Sequence, residues 1–464
     1  MKTDPRRTRE QLWTRQTAPF IAGTLTLMTF IAFESFAVTT ILPVVTADLG
    51  GTAWYSFAYA ATITTALIGM VIGGNWADQS GPRTPLMIGG TLFLLGLALT
   101  VVAPDIGTFI LGRLLQGVGG GIDSVCLYVL IARHVPEGPR PRMFGLLTTA
   151  WLVPSLAGPL IAGFLTDLTT WRTVLGIVLV GSAAALLCLL RVTQTPSAQD
   201  EFGPRHPSPG DRSWSKIVGR SGSLALLAAV LLVVLHLAGQ LNTFVSVVVV
   251  AVASLALIIT ARGILPAGTL LLRGAPQRLI ALRAILGATV TTTDLYLTLY
   301  LQTERGYPPT TAGLVIALGA AGWALGAWLQ GRFSSTQRTH GRLVLLATVL
   351  VAFGPATALA YTSSNLPLGV VVAACIAMGT GMGTAYPRLS SATLALVSAE
   401  RQGAYSSALQ AGESMSIGVL TALIAALLAT GVTFTTLYGV LLGLALVAIL
   451  VAATGSTKRH AETS

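Results

Sequence analysis

The sequence predicts an all-α polytopic membrane protein, two six-helix bundles with two extra helices inserted between them. Three observations predict it: an apolar composition, apolar runs that recur at membrane-spanning length, and basic residues confined to alternate connections. Of 464 residues, 53% are hydrophobic and only 10% charged, and the mean hydropathy is +0.75. A water-soluble domain carries much more charge. Stretches of about 20 apolar residues can cross a bilayer as helices that satisfy their own backbones.

Taken in order, the apolar runs fall at 19–42, 54–76, 84–103, 107–132, 143–166, 172–190, 221–238, 241–261, 279–301, 310–330, 342–361, 366–387, 405–427 and 432–453, which makes fourteen. The opening MKTDPRRTRE resembles a signal-peptide leader, but the run behind it is long enough to span and further spans follow, so it is read as retained.

The formal charge of +11 does not mark nucleic-acid binding. With the N-terminus inside, every Lys and Arg lies in a tail, in an inner connection or at an inner helix end, except Arg113, Arg172 and Arg305. The charge is thus a topology signal, with both termini cytoplasmic in a cell membrane. Cys126, Cys188 and Cys375 fall in separate spans, too dispersed for a disulfide framework or metal site, and read as small core residues.

The chain is organised as tail 1–18, six-helix bundle 19–190, linker 191–220, inserted helices 221–261 joined by a turn near Gly239, loop 262–278, second bundle 279–453 and tail 454–464. The stretch 191–216 is rich in Pro and charge without helical periodicity, which marks the linker. Helix 1 carries Glu34 and is followed by the turn opening at Gly74. Helix 9 carries Asp294 and is followed by a basic turn opening at Gly331. Matching acids and turns in matching order indicate a duplicated six-helix unit.

Three segments carry the chemistry. Gly74-Asn75-Trp76-Ala77-Asp78-Gln79-Ser80-Gly81-Pro82-Arg83 joins helices 2 and 3; its glycines allow a tight turn, and Asp78 with Arg83 can clasp an inner gate. Arg113-Leu114-Leu115-Gln116-Gly117 in helix 4 places a guanidinium in the membrane beside a glycine-smoothed face; a charge there requires a partner. In helix 5, Gly145, Pro154, Gly158, Pro159 and Gly163 form a small-residue face for close packing.

Together these segments resemble the major facilitator superfamily, specifically its fourteen-helix drug:proton antiporter branch. The turn after helix 2 looks like G-x-L-A-D-R-x-G-R-R, helix 4 like R-x-x-Q-G, and helix 5 like the antiporter motif G-x8-G-x3-G-P-x2-G-G. The end of helix 1, Thr39-Thr40-Ile41-Leu42-Pro43, looks like D-x-T-I-V-N-V-A-L-P, which puts Glu34 where the family has its acid. Gln79 replaces a base of the first motif, and Pro154 and Ala162 replace two glycines of the third.

The resemblance implies an exporter of small amphipathic or cationic compounds, working by alternating access, with protons as coupling partner and the proton gradient in place of a cofactor. A monomer in the lipid bilayer is expected, and no metal. Of the intramembrane charges, Glu34 and Arg113 lie at one depth and form the expected proton-coupling pair; the alternative is a static ion pair. Asp294 is a second proton or cation site, or a packing residue. Asp123 and Glu413 either line the inner cavity or bond serines such as Ser124, Ser414 and Ser416. Gln116, Tyr59, Trp151, Tyr296, Tyr300 and Trp323 are candidate substrate contacts.

A proton symporter or a dedicated exporter of one metabolite or lipid is the competing reading. An enzyme is disfavoured, since no H-E-x-x-H, nucleophile elbow or phosphate-binding G-K-[ST] loop is present.

Overall fold

The computed structural model describes residues 13, 17–135, 140–192, 214–238, 243–333, 337–398 and 401–457. Among them fourteen long helices follow one another: α1 (Ala18–Asp48), α2 (Tyr55–Ser80), α3 (Arg83–Val102), α4 (Ile106–His134), α5 (Arg140–Leu168), α6 (Trp171–Val192), α7 (Trp214–Ala238), α8 (Thr243–Ile264), α9 (Ala275–Thr303), α10 (Pro309–Gln330), α11 (Gln337–Ser363), α12 (Leu368–Ala395), α13 (Gln402–Ala429) and α14 (Phe434–Thr457). Twelve of them are long and apolar enough to cross a membrane. In α8 the apolar stretch is shorter, Val248–Ile264. In α9 the run Thr291-Thr292-Thr293-Asp294 lowers the hydropathy.

Most helices overrun the apolar runs that announce them, because hydropathy registers the hydrocarbon-compatible part and backbone bonding continues beyond it. The clearest case is α1, which does not end at Pro43 but passes through it to Asp48. Thr46 Oγ1 donates to the Leu42 and Pro43 carbonyls at 3.0 and 3.2 Å, so the turn after the proline is hydrogen-bonded by a side chain as well as by backbone.

The linker also ends earlier than expected. Trp214 already begins α7, whose helical geometry breaks at Gly219 (φ 56°, ψ −177°). Residues 193–213, the turn near Gly239, most of the N-terminal tail and the end of the C-terminal tail lie outside the described residues. Of the cysteines, Cys126 and Cys375 are buried, whereas Cys188 is exposed. It lies on an outward side of α6, a distinction that apolarity alone does not make.

The chain divides into two compact units. The first comprises residues 1–51 and 61–229, the second 52–60 and 230–464, so the boundary falls within α7.

In the first unit, α4 packs backbone to backbone on α2 and α3. A Cβ at Gly119 would stand 2.5 Å from the Gly89 carbonyl oxygen of α3, so only glycine lets the two helices approach this closely. Gly81 holds the turn between α2 and α3 at φ 75°, as the glycine-rich segment predicts.

In the second unit α10 and α12 meet by the same device, with Gly322 of α10 against the Ile376 backbone. The polar helix α9 is buried along most of its length, including Thr289, Thr292, Thr293, Tyr296 and Thr298. Its threonines turn back onto the helix: Thr289 Oγ1 donates to the Ile285 carbonyl at 2.8 Å and Thr293 Oγ1 to Thr289 at 2.7 Å. A helix of low hydropathy can therefore be an interior one. The inserted α7 docks here through His236, whose ring stacks on Phe57 at 5.3 Å and whose Nε2 lies 3.4 Å from Thr421 Oγ1 of α13.

Candidate functional site

A buried polar cluster of the first unit is built on the helix 4 motif. The i, i+3 spacing of Arg113 and Gln116 puts both on one face of α4. From there Arg113 Nη1 donates to Glu34 Oε1 of α1 and, at 2.7 Å, to Gln116 Oε1. Gln116 Nε2 in turn donates to Thr100 Oγ1 of α3 at 3.0 Å, and Thr100 Oγ1 to the Leu97 carbonyl at 2.8 Å. The two charged side chains are each 3% exposed.

The cluster ties α1, α3 and α4 together through one carboxylate, one guanidinium and one amide. Both Glu34 and Arg113 are brought together as the sequence predicts. Gln116, read as a substrate contact, is fully buried with its amide committed to the pair.

The second unit holds a counterpart that the sequence reading missed. Arg283, counted there as an inner helix end, lies well inside α9 and is 4% exposed. Its Nη2 donates to Glu413 Oε2 of α13 at 3.0 Å and to the Tyr386 hydroxyl of α12, while the guanidinium lies 3.9 Å over the Tyr386 ring. Tyr386 OH donates to Glu413 Oε2 at 3.3 Å and packs against Trp323 of α10, 5.6 Å between ring centres.

Gly287, one turn beyond Arg283, leaves the space: a Cβ there would stand 2.6 Å from Glu413 Oε1. The signal was present in helix depth. Counted from their starting ends at ~1.5 Å per residue, Arg283 lies ~12 Å and Glu413 ~17 Å along parallel-running helices, close enough to pair. Of the two alternatives for Glu413, cavity lining or serine bonds, the second is replaced by bonds from Arg283 and Tyr386.

Asp123 of α4 is fully buried, and neither carboxylate oxygen has a hydrogen-bond partner among the described residues. Ser124, a bond to which was one of the two alternatives for it, donates instead to the Gly121 carbonyl at 2.9 Å. Asp294 of α9 is half-buried, near Cys375 of α12 and Tyr438 of α14.

Two of the three arginines that break the charge rule close helix ends. Arg172 pairs with Asp48 at 2.8 Å, donates to the Ala103 carbonyl at 3.0 Å and stacks on Trp171, whose Nε1 donates to Asp48 at 2.9 Å. Arg305 donates to the Tyr361 carbonyl at 2.7 Å and lies 4.5 Å over the Tyr361 ring. The third, Arg113, is the paired one. Outside the spans, Asp105 caps α4 by accepting from the Thr108 N–H at 2.9 Å, and this bond holds its carboxyl below the usual range.

The remaining candidates spread over the units. Asp78 and Arg83 are exposed at the two sides of the Gly81 turn, and Gly74 faces Val125 of α4. In α5, Pro154, Gly158, Pro159 and Gly163 are buried within a continuous helix, Gly158 against Phe33 and Phe36 of α1, whereas Gly145 is exposed. Trp151 is 38% exposed and meets Phe36 edge-on. Tyr296 is fully buried, bonded to Ser56 and the Thr421 carbonyl. Tyr300 stacks edge-on with Tyr361 and Phe434, and Tyr59 is half-buried.

A family model, Major Facilitator Superfamily, matches residues 24–419. The chain belongs to the Major Facilitator Superfamily. Among its superfamily relatives, a probable multidrug-efflux transporter of Mycobacterium tuberculosis (strain ATCC 25618 / H37Rv) is 27% identical over 371 residues, covering 77% of this chain and 76% of that one. An MFS-type transporter of Claviceps purpurea (strain 20.1) is 25% identical over 395 residues, 80% of this chain and 66% of that one.

Solved structures of the superfamily fold include a POT family transporter in complex with a thioalcohol-conjugated peptide, with a TM-score of 0.70 and 15% identity over 94% of this chain and 96% of that one. Another is a peptide transporter POT in complex with sulfate, at TM-score 0.70 and 15% identity over 98% and 99%. As a superfamily member the chain is a multi-pass membrane transporter and not an enzyme.

Proposed function

We propose that this transporter exports small amphipathic or cationic compounds in exchange for protons. The buried Glu34–Arg113 pair carries the reading, because it sets a titratable carboxyl against a guanidinium in an enclosure among three helices. Burial favours the neutral carboxyl and a nearby guanidinium the ionised one, so any movement that separates α1 from α4 changes proton affinity at Glu34. Proton uptake on one side and release on the other then follow from the alternation itself.

The direction is supported by the buried small-residue face of α5 and by the probable multidrug-efflux function of the mycobacterial relative. Asp294 is a second proton or cation position in this reading. The confinement of Lys and Arg to alternate connections supports cytoplasmic termini in a cell membrane, and the proton gradient is the only energy source invoked. The protein acts as a monomer.

The test is transport in proteoliposomes with an imposed pH gradient. Glu34→Gln is expected to abolish gradient-driven movement of a cationic dye while leaving the folded protein intact. Unchanged gradient-driven transport by Glu34→Gln removes the assigned role, and substrate moving in the same direction as protons replaces antiport by symport.

A further inference from the structure

We propose that Glu413, Tyr386 and Trp323 form a binding box for an organic cation in the second unit, and that Arg283 is its built-in competitor. The inference deepens the export reading by naming where a cationic substrate binds.

The geometry already displays the complex in miniature. A planar cation, the Arg283 guanidinium, lies 3.9 Å over the Tyr386 ring and donates to a carboxylate at 3.0 Å. A carboxylate beside an aromatic face is the combination that holds organic cations, the ring quadrupole and the full charge acting together. Trp323 extends the aromatic surface past Tyr386.

Two details separate this arrangement from an ordinary structural pair. The acid is the accessible partner: the Glu413 side chain is 17% exposed and that of Arg283 5%. A visiting solute therefore meets negative charge and aromatic surface before the guanidinium. The guanidinium is also incompletely satisfied, since its Nε is buried with no acceptor among the described residues. Arg283 thus gains less from the box than a cation fully matched to it.

A solute cation that enters the box takes the place of the guanidinium on both Glu413 and the Tyr386 ring, and its departure lets Arg283 return. The tethered cation weakens binding at equilibrium and speeds release, because it supplies a replacement for the ligand inside the site.

The experiment measures tetraphenylphosphonium binding to the purified full-length protein by calorimetry, without a gradient. Arg283→Gln is expected to bind about ten-fold more tightly than the wild type, ~1.4 kcal/mol. Glu413→Gln is expected to bind at least about ten-fold more weakly, and the double variant to follow Glu413→Gln. Arg283→Lys, which keeps the buried charge and so serves as the second variant should Arg283→Gln fail to fold, is expected to bind more tightly than the wild type and less tightly than Arg283→Gln, since an ammonium lacks the flat stacking fork. Equal or weaker binding by Arg283→Gln and Arg283→Lys overturns the competitor role, and unchanged binding by Glu413→Gln overturns the site. Neither result bears on Glu34, whose role is read from gradient-driven transport of the same protein.

Discussion

The two buried ion pairs use the same chemistry and differ in closure. In the first unit Glu34 and Arg113 are each 3% exposed, and Gln116 and Thr100 continue their hydrogen bonds to a third helix. In the second unit Glu413 is 17% exposed, Arg283 Nε has no acceptor among the described residues, and an aromatic ring takes the place of the amide. A closed pair exchanges its counter-ion only when helices move, so it suits the small ion that can reach it through such motion. An open pair can exchange it for a solute.

Breaking the closed pair is expected to have the largest effect. Arg113→Ala leaves a buried carboxylate without its counter-charge and should lower stability by about 3–5 kcal/mol, whereas replacing both partners with Gln should restore most of it. Glu413→Gln should cost less, about 1–3 kcal/mol, because Tyr386 still contacts the guanidinium and the site is partly open. Thermal unfolding of the detergent-solubilised variants decides the order; a larger loss in Glu413→Gln would reverse the comparison.

A third ion pair gives the lower limit. Asp48 and Arg172 are 48% and 39% exposed, so Arg172→Ala should lower stability by no more than about 1 kcal/mol in the same assay, and less at high salt. A melting shift as large as that of Arg113→Ala would mean that closure is not what separates the pairs.

The smallest effect belongs to Asp105. Its folded-state pKa is depressed by the Thr108 N–H, so its contribution is present above the ordinary carboxylate pKa and is lost as pH falls through the lower folded value. Asp105→Ala should therefore fray the start of α4 at neutral pH and make little difference in strong acid, measured by amide hydrogen exchange at Thr108 and its neighbours after correction for the intrinsic pH dependence.

The charge rule and the structure meet in particular residues. Arg113, Arg172 and Arg305 stood out because they broke the topology pattern, and each has a defined partner: one a buried acid, the other two the ends of neighbouring helices. Arg283 was missed because it fits the pattern. Lying toward the starting end of α9, it passes for a helix-end cation, and its burial depends on α12 and α13 closing over it from about 100 and 130 residues away in the chain. Asp123 was seen, but not that it would have no hydrogen-bond partner among the described residues, since Ser124 follows it directly and bonds its own helix instead.

By itself the sequence determined the number and order of the helices, because each must present an apolar stretch to lipid and bond its own backbone, both of them local requirements. It also determined that Arg113 and Gln116 share a face and that the Gly81 turn is tight, since helical periodicity and backbone freedom are local too. Which acid meets which base was decided only by the tertiary structure. A carboxylate in an apolar helix requires a partner, but the partner comes from whichever helix the glycine seams and Gly287 allow to approach, and that distance is not written in any one segment.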